Sequence, residues 1–176
     1  MENEQTKELE KTFTDNLKGR IKKVPQDELR DIITNFLETN IICTLATCSN
    51  NIPRSTPLRY RAKGLTIYFF TEGGGKVNNI RENPRVSVSL YGEYSGFQSV
   101  RCLQIWGEAK IIEPEDEKEY NEGKEVLNMG QRDDLKKLGM ANIQHRMKLI
   151  KIETHNARYL SFPEGIINQV LTVKED

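Results

Sequence analysis

The sequence is short of the features that usually announce a function: it has no net field, no long apolar run, no paired cysteines and only two histidines. Lysine plus arginine total 26 and aspartate plus glutamate total 26. A chain so balanced has no general attraction for nucleic acid or for an anionic membrane, so any anion it holds must be held by a local group of side chains. The longest apolar stretches, Ile41 to Ala46 and Leu65 to Phe70, are the size of strands. They fall far short of the roughly 20 residues that cross a bilayer. The N-terminal Met1-Glu2-Asn3-Glu4-Gln5 is polar and acidic, unlike the basic start and apolar middle of a secretory signal. A cytoplasmic protein is the expectation.

Cys43, Cys48 and Cys102 are odd in number and lack CxxC spacing, which argues against a disulfide framework and a zinc site. They read as small buried or half-buried thiols. His145 and His155 are far apart and have no carboxylate or cysteine partners at metal-binding spacing, so no metal is expected. The acidic run Glu113, Glu115, Asp116, Glu117 and Glu119 reads as the solvated start of a helix, where negative charge is favoured. No serine, histidine and aspartate set points to a hydrolase.

What is present is one domain's worth of patterned sequence, residues 25–176, behind a charged N-terminal arm or helix, residues 1–24. After Pro25, apolar Leu29, Ile32, Ile33, Phe36 and Leu37 recur at helical spacing. From Ile41 the period shortens. Ile41 to Cys48, Ser55 to Arg61 and Leu65 to Thr71 read as three strands of an antiparallel meander, and Lys76 to Glu82 as a short helix stopped before Pro84. Val86 to Tyr91 and a long Val100 to Ile112 follow, the latter with Gly107 at its centre as a bend or bulge. Helices are expected after Pro114 and over Arg132 to Leu138, then two final strands, Met147 to Thr154 and Ala157 to Phe162. The expected fold is mainly β: a six-stranded antiparallel split β-barrel with peripheral helices, an arrangement that limits exposed sheet edges.

The chemistry concentrates in Arg54-Ser55-Thr56-Pro57-Leu58-Arg59 and in Phe70-Thr71-Glu72-Gly73-Gly74-Gly75-Lys76. Three glycines let backbone amides approach a ligand, and a helix N-terminus carries partial positive charge suited to a phosphate. Lys76 adds a full charge, and Arg54 could close on the same group from a neighbouring strand. Val77 stands where a nucleotide-triphosphatase loop has serine or threonine, and the GxxxxGK spacing is absent.

Tyr68-Phe69-Phe70-Thr71, the lysine five residues after that threonine, and Ile80-Arg81-Glu82-Asn83-Pro84-Arg85-Val86-Ser87 resemble the pyridoxamine phosphate oxidase-like, flavin-mononucleotide-binding split barrels. The arginine-led strand from Arg54 and the run Arg101 to Ala109 fit the same pattern, so the resemblance covers roughly Leu29 to Glu113. It implies a homodimer with FMN at the subunit interface. By carry-over Arg54 and Lys76 hold the phosphate, Ser55, Thr56, Pro57 and Leu58 run beside the ring, and Thr71 contacts the flavin or its ribityl chain, with Phe70 beside it; the positive charge of Arg59 could stabilise the reduced ring's anion. Cys102 falls where the oxidase has a flavin-contacting glutamine, with Gln104 on the same face as a substitute.

Gly75 stands where the oxidase has a second basic residue, and the turn before Lys76 is one residue shorter. The segment Gln169 to Asp176 carries no arginine-x-histidine element, the oxidase's grip on pyridoxal phosphate. Vitamin B6 oxidation is therefore not the expected reaction. The resemblance implies instead a flavin reductase-like oxidoreductase that takes hydride from a reduced nicotinamide, NAD(P)H, or another donor. The alternatives are a non-enzymatic flavin or electron carrier, and a heme-binding or heme-degrading barrel in which His155 would matter. Trp106 reads as a core or interface residue outside the site.

Overall fold

In the computed structural model, which describes residues 19–127 and 147–173, a helix runs over Gln26–Thr39 (α1) directly after Pro25. Its stripe of Leu29, Ile33, Phe36 and Leu37 is buried, as the spacing requires. The strands β1 (Ile42–Ser49) and β2 (Ile52–Arg59) form a tight hairpin. Asn50 and Asn51 supply its two positive φ angles, 50° and 59°, which suit the right-handed twist of the flanking strands.

Tyr60 then ends β2. Its ring is fully buried and its hydroxyl donates to the Leu37 carbonyl at 2.7 Å, fastening the chain beneath α1. Beyond it lie β3 (Arg61–Lys63), β4 (Thr66–Thr71) and helix α2 (Gly75–Glu82). Next come β5 (Arg85–Tyr91), a single 3-10 turn at Phe97–Ser99, β6 (Arg101–Ile112), helix α3 (Glu117–Val126), β7 (Lys148–Ser161) and β8 (Ile166–Thr172).

The sheet is antiparallel and curled, with eight strands rather than six, in the order β2-β1-β5-β6-β7-β4-β3, and β8 also pairs with β7. The mainly β, split-barrel expectation holds with that change of count. The meander does not hold: β2 and β3 do not pair with each other, because Tyr60 breaks the run and the two hairpins lie at opposite ends of the sheet. The two final strands expected are one long β7. Its register against β6 shifts between Trp106 and Gly107, where Trp106 faces Asn156, Gly107 faces Thr154, and His155 is the extra residue.

That bulge explains Gly107. A Cβ there would sit 2.1 Å from the Glu153 carbonyl oxygen, so only glycine admits the close approach of β7. The split lies at the same place, since β4 pairs with Ile152 and earlier residues of β7 while β8 pairs with Asn156 and later ones. Gly123, inside α3, is buried against Leu149 for a similar steric reason. The helix expected over 132–138 lies outside the described residues.

One core lies between α1, α2 and the inner face of the sheet, built around Leu45, Phe69, Val88, Leu103, Ile105 and Ile152. A smaller cluster of Tyr68, Ile112, Tyr120 and Leu149 sits under α3. The opposite face of β1, β2, β5 and β6 is open, and Ile42 and Tyr91 on it are 53% and 73% exposed. Cys43 is buried, Cys48 and Cys102 are half-buried, and all three are free thiols.

Candidate functional site

The strand β4 ends at the buried Thr71, and the chain then turns through Gly73 and Gly74 at φ of 130° and 85°, angles that side-chain-bearing residues rarely adopt. The Thr71 hydroxyl accepts from the Gly73 amide at 3.1 Å and donates to the Gly73 carbonyl at 3.2 Å, which fixes the turn from below. Helix α2 begins at once. No side chain caps it, its first turn holds no acid, and Arg81 lies in its last turn. Its first amides and the positive end of its dipole are thus left for an external anion.

Two cations meet at this end. Lys76 donates to the Gly73 carbonyl at 3.1 Å. Arg54 arrives from β2, lying opposite the buried Thr47 of β1 and therefore on the side of the sheet that α2 covers. Asn79 of α2 donates to the Thr47 hydroxyl at 3.2 Å and Asn83 donates to the Cys48 carbonyl at 3.0 Å, so the helix is tied to the strand next to Arg54. The Arg54 guanidinium ends over Gly75, where a Cβ would lie 2.6 Å from its Cζ, Nε and Nη2 atoms.

Neither cation makes an ion pair among the described residues. Burial pushes the Lys76 ammonium below its ordinary value; Glu72 opposes that shift and the Arg54 charge adds to it. Two like charges held together with no ion-pair contact favour a bound anion.

Sequence reasoning expected Arg54 to reach the turn from a neighbouring strand. The sheet order places β2 and β4 at distant positions, and it is the seating of α2 on β1 that brings the turn to Arg54. The other candidates divide. Thr56 and Leu58 share the side of Arg54, with Leu58 packed on the core, while Ser55, Pro57 and Arg59 face the open side. Phe70 turns away from Thr71, and its ring meets Tyr120 edge-on at 5.9 Å.

Gln104 is not brought to this group within one protomer. It lies on the open face in the cross-strand row Pro57, Thr44, Ser89, Gln104. Three strand spacings, about 14 Å, separate it from Pro57. Trp106 is half-buried on the same face, beneath Arg158.

One residue was not singled out by sequence reasoning, and another was noted without its role. Asn79 ties α2 to Thr47, and nothing in the local pattern marks it. Gly75 was marked only as a departure from the oxidase's basic residue; that its missing side chain makes room for Arg54 could not be read from a triple-glycine run.

Two cavities lie elsewhere and are lined by neither Arg54 nor Lys76. One, of about 550 Å³, lies between α1 and the β5–β6 connection, with Phe36, Arg101, Tyr159 and Glu164 on its walls. The other, of about 810 Å³, is lined by Arg30, Glu108, Glu153 and His155. Among the described residues no group of three histidine, cysteine or acidic side chains is placed to hold a metal, and His145 lies outside them. No described helix is long and apolar enough to cross a membrane.

The sequence profile of the family described as pyridoxamine 5'-phosphate oxidase matches residues 17–160, most of the chain. The chain belongs to this family. Among solved structures it is similar to General Stress Protein 26 of Bacillus anthracis, at 22% identity and a TM-score of 0.60 over 82% of this chain and 98% of the other. An FAD-binding protein of Mesorhizobium loti matches at 18% identity and a TM-score of 0.54, over 79% and 90% of the two chains. HutZ, the heme storage protein of Vibrio cholerae, matches at 17% identity and a TM-score of 0.56, over 72% and 89%. No curated protein matches. These likenesses establish the split-barrel fold of the family.

The site's donor set fits the phosphate of a flavin mononucleotide. It combines an uncapped helix start, a glycine turn open to close approach, and two cations from separate elements.

Proposed function

We propose that this family member binds FMN at a site completed by a second copy of the chain and serves as an oxidoreductase between a reduced nicotinamide, or another donor, and a small acceptor. The observation that carries the reading is the convergence of Arg54 and Lys76, neither ion-paired among the described residues, on the uncapped start of α2. Arg54, Lys76 and the first amides of α2 would hold the phosphate. Thr71 keeps the turn in shape, and the open edge of β2 from Ser55 to Pro57 offers a flat surface for the ring.

Bound FMN would supply a ring able to take up hydride or single electrons, so the protein needs no acid or nucleophile of its own. The chain's part is to fix the phosphate, exclude water from one ring face and place positive charge near the ring. Arg59 stands on the open face for that last role.

The second copy is supported by the shape of one protomer. Its β2 face is exposed, Gln104 lies far from the Arg54–Lys76 group, and Ile42 and Tyr91 leave apolar surface on the same face. A dimer packed there would cover this surface and bring the partner's β6 over β2. An electron carrier would use the same binding site, and only turnover separates the two.

The test is the absorbance of the purified protein before and after anaerobic addition of NADH or NADPH. Flavin bands that bleach support the oxidoreductase. Flavin bands that no small donor bleaches support the carrier, and a Soret band in their place would replace FMN with heme. Arg54→Ala/Lys76→Ala should lose the flavin, and full retention by that double variant would refute the site.

A further inference from the structure

We propose that Gly75 is a positioning residue: its missing side chain is the seat on which the Arg54 guanidinium rests, and this seat sets the strength of phosphate binding at the start of α2. The inference rests on the proposed phosphate site but concerns how that site is built. It assigns Gly75 a task different from that of the two glycines before it.

Gly73 and Gly74 are required by backbone angle, at φ of 130° and 85°, and a Cβ on either would meet nothing within 4 Å. Gly75 is the reverse. Its φ is not in the left-handed region, and it is the first residue of α2, where alanine is a better helix former than glycine. What a Cβ would meet is Arg54: the three nearest heavy atoms are its Cζ, Nε and Nη2, each at 2.6 Å. The backbone thus tolerates a side chain at 75, and the guanidinium does not.

The contact is with the far end of a flexible side chain. Gly75→Ala would therefore be accommodated by a swing of Arg54, with the turn and the helix left in place. Arg54 sits on an edge strand that is exposed along most of its length, so nothing else among the described residues holds the guanidinium over the helix start. Lys76 is differently secured, through its bond to the Gly73 carbonyl. One cation of the pair is fixed by a hydrogen bond and the other by a surface only glycine provides. Preorganised donors bind an anion more tightly because less freedom is lost on binding.

The experiment is a titration of wild type, Gly75→Ala, Arg54→Ala and the double variant with FMN, with riboflavin as the ligand lacking phosphate, and with inorganic phosphate read by thermal shift. Gly75→Ala should weaken FMN binding by roughly tenfold or more, the scale of one charge-assisted contact. It should leave riboflavin binding within about twofold and the melting temperature in buffer unchanged or raised.

In the Arg54→Ala background, Gly75→Ala should cost nothing further. An equal loss in both backgrounds, or no loss in wild type, would overturn the proposal. If wild type binds phosphate but not FMN, the flavin reading fails, and the same four proteins decide the Gly75 question with phosphate as probe. Failure of wild type to bind either ligand overturns both.

Discussion

Arg158 lies over the indole of Trp106, with its guanidinium carbon 5.3 Å from the ring centroid, on the open face of the sheet. Trp106 is the chain's single tryptophan, so the emission reports the surroundings of this one ring. Arg158→Ala should shift the emission to longer wavelength as water reaches the ring. The stability cost should be about 0.5–1 kcal/mol, the worth of an exposed cation–π pair. An unchanged spectrum would show that the guanidinium does not shield the ring.

Gly107 gives the sharpest stability test. A Cβ there meets backbone, the Glu153 carbonyl at 2.1 Å, which cannot swing aside as the Arg54 side chain can. Gly107→Ala should lower stability by roughly 1–3 kcal/mol or more, as overpacking does. Urea melts of the two proteins measure it, and a neutral result would mean that the bulge in β7 relaxes.

Glu113 links Arg81 of α2 to Lys148 of β7, accepting from Arg81 at 2.8 Å and also from Lys148. The hydrogen bond from Lys148, and then those cations' charges and the Arg81 bond, hold its carboxyl below the usual carboxylate value. A carboxyl so lowered favours the folded state above its unfolded value, and that contribution fades as pH falls through the folded value. Glu113→Gln should thus melt lower than wild type at neutral pH, with the gap closing in acid. A constant gap would assign the loss to geometry instead of charge.

Lys76 titrates in the other direction. Its lowered value in the ligand-free protein means that charge begins to be lost before an ordinary lysine would lose it. FMN affinity should therefore start to fall at a lower pH than an ordinary lysine would set. Lys76→Arg, charged throughout, should hold its affinity further into alkali. Fluorescence titrations across alkaline pH check this, and identical profiles would remove Lys76 from the phosphate site.

The thiols should separate by depth. Cys43 is 2% exposed, and burial pushes its thiol up to about 12. Cys48 is half-buried. A thiol reagent near neutral pH should label Cys48 well before Cys43 in the folded protein, because the thiolate is the reactive form. Mass spectrometry of the labelled peptides reads the order.

Element types were legible wherever one period ran clean. Leu29, Ile33, Phe36 and Leu37 announce α1, and the alternation from Leu103 to Ala109 announces β6. Gly107 was readable as a bulge, although the extra residue proved to be His155 on the strand opposite. β8 was missed because Ile166 and Ile167 sit side by side and Asn168 takes a φ of 51°, which breaks the alternation of the run.

Strand partners were harder, because a run of alternating residues does not encode its neighbour. Tyr60 looks like one more strand residue, yet its burial under α1 is what separates the two hairpins. The site divides in the same way. The glycine turn pointed to Lys76, and Arg54 was found with it. The distance of Gln104 could not be read, since a face assignment says nothing about how many strands intervene.

The change of partner along β7 makes that strand a splice between two half-sheets. Residues 148–152 set the register of β4, residues 156–161 set that of β8, and 153–155 belong to neither ladder. At that junction the Thr154 hydroxyl donates to the Leu65 carbonyl at 2.6 Å and the His155 carbonyl accepts from the Val173 amide at 3.0 Å, while β6 runs past both half-sheets. One strand thus carries two registers, and its junction is where the half bearing β4 and the half bearing β8 are joined.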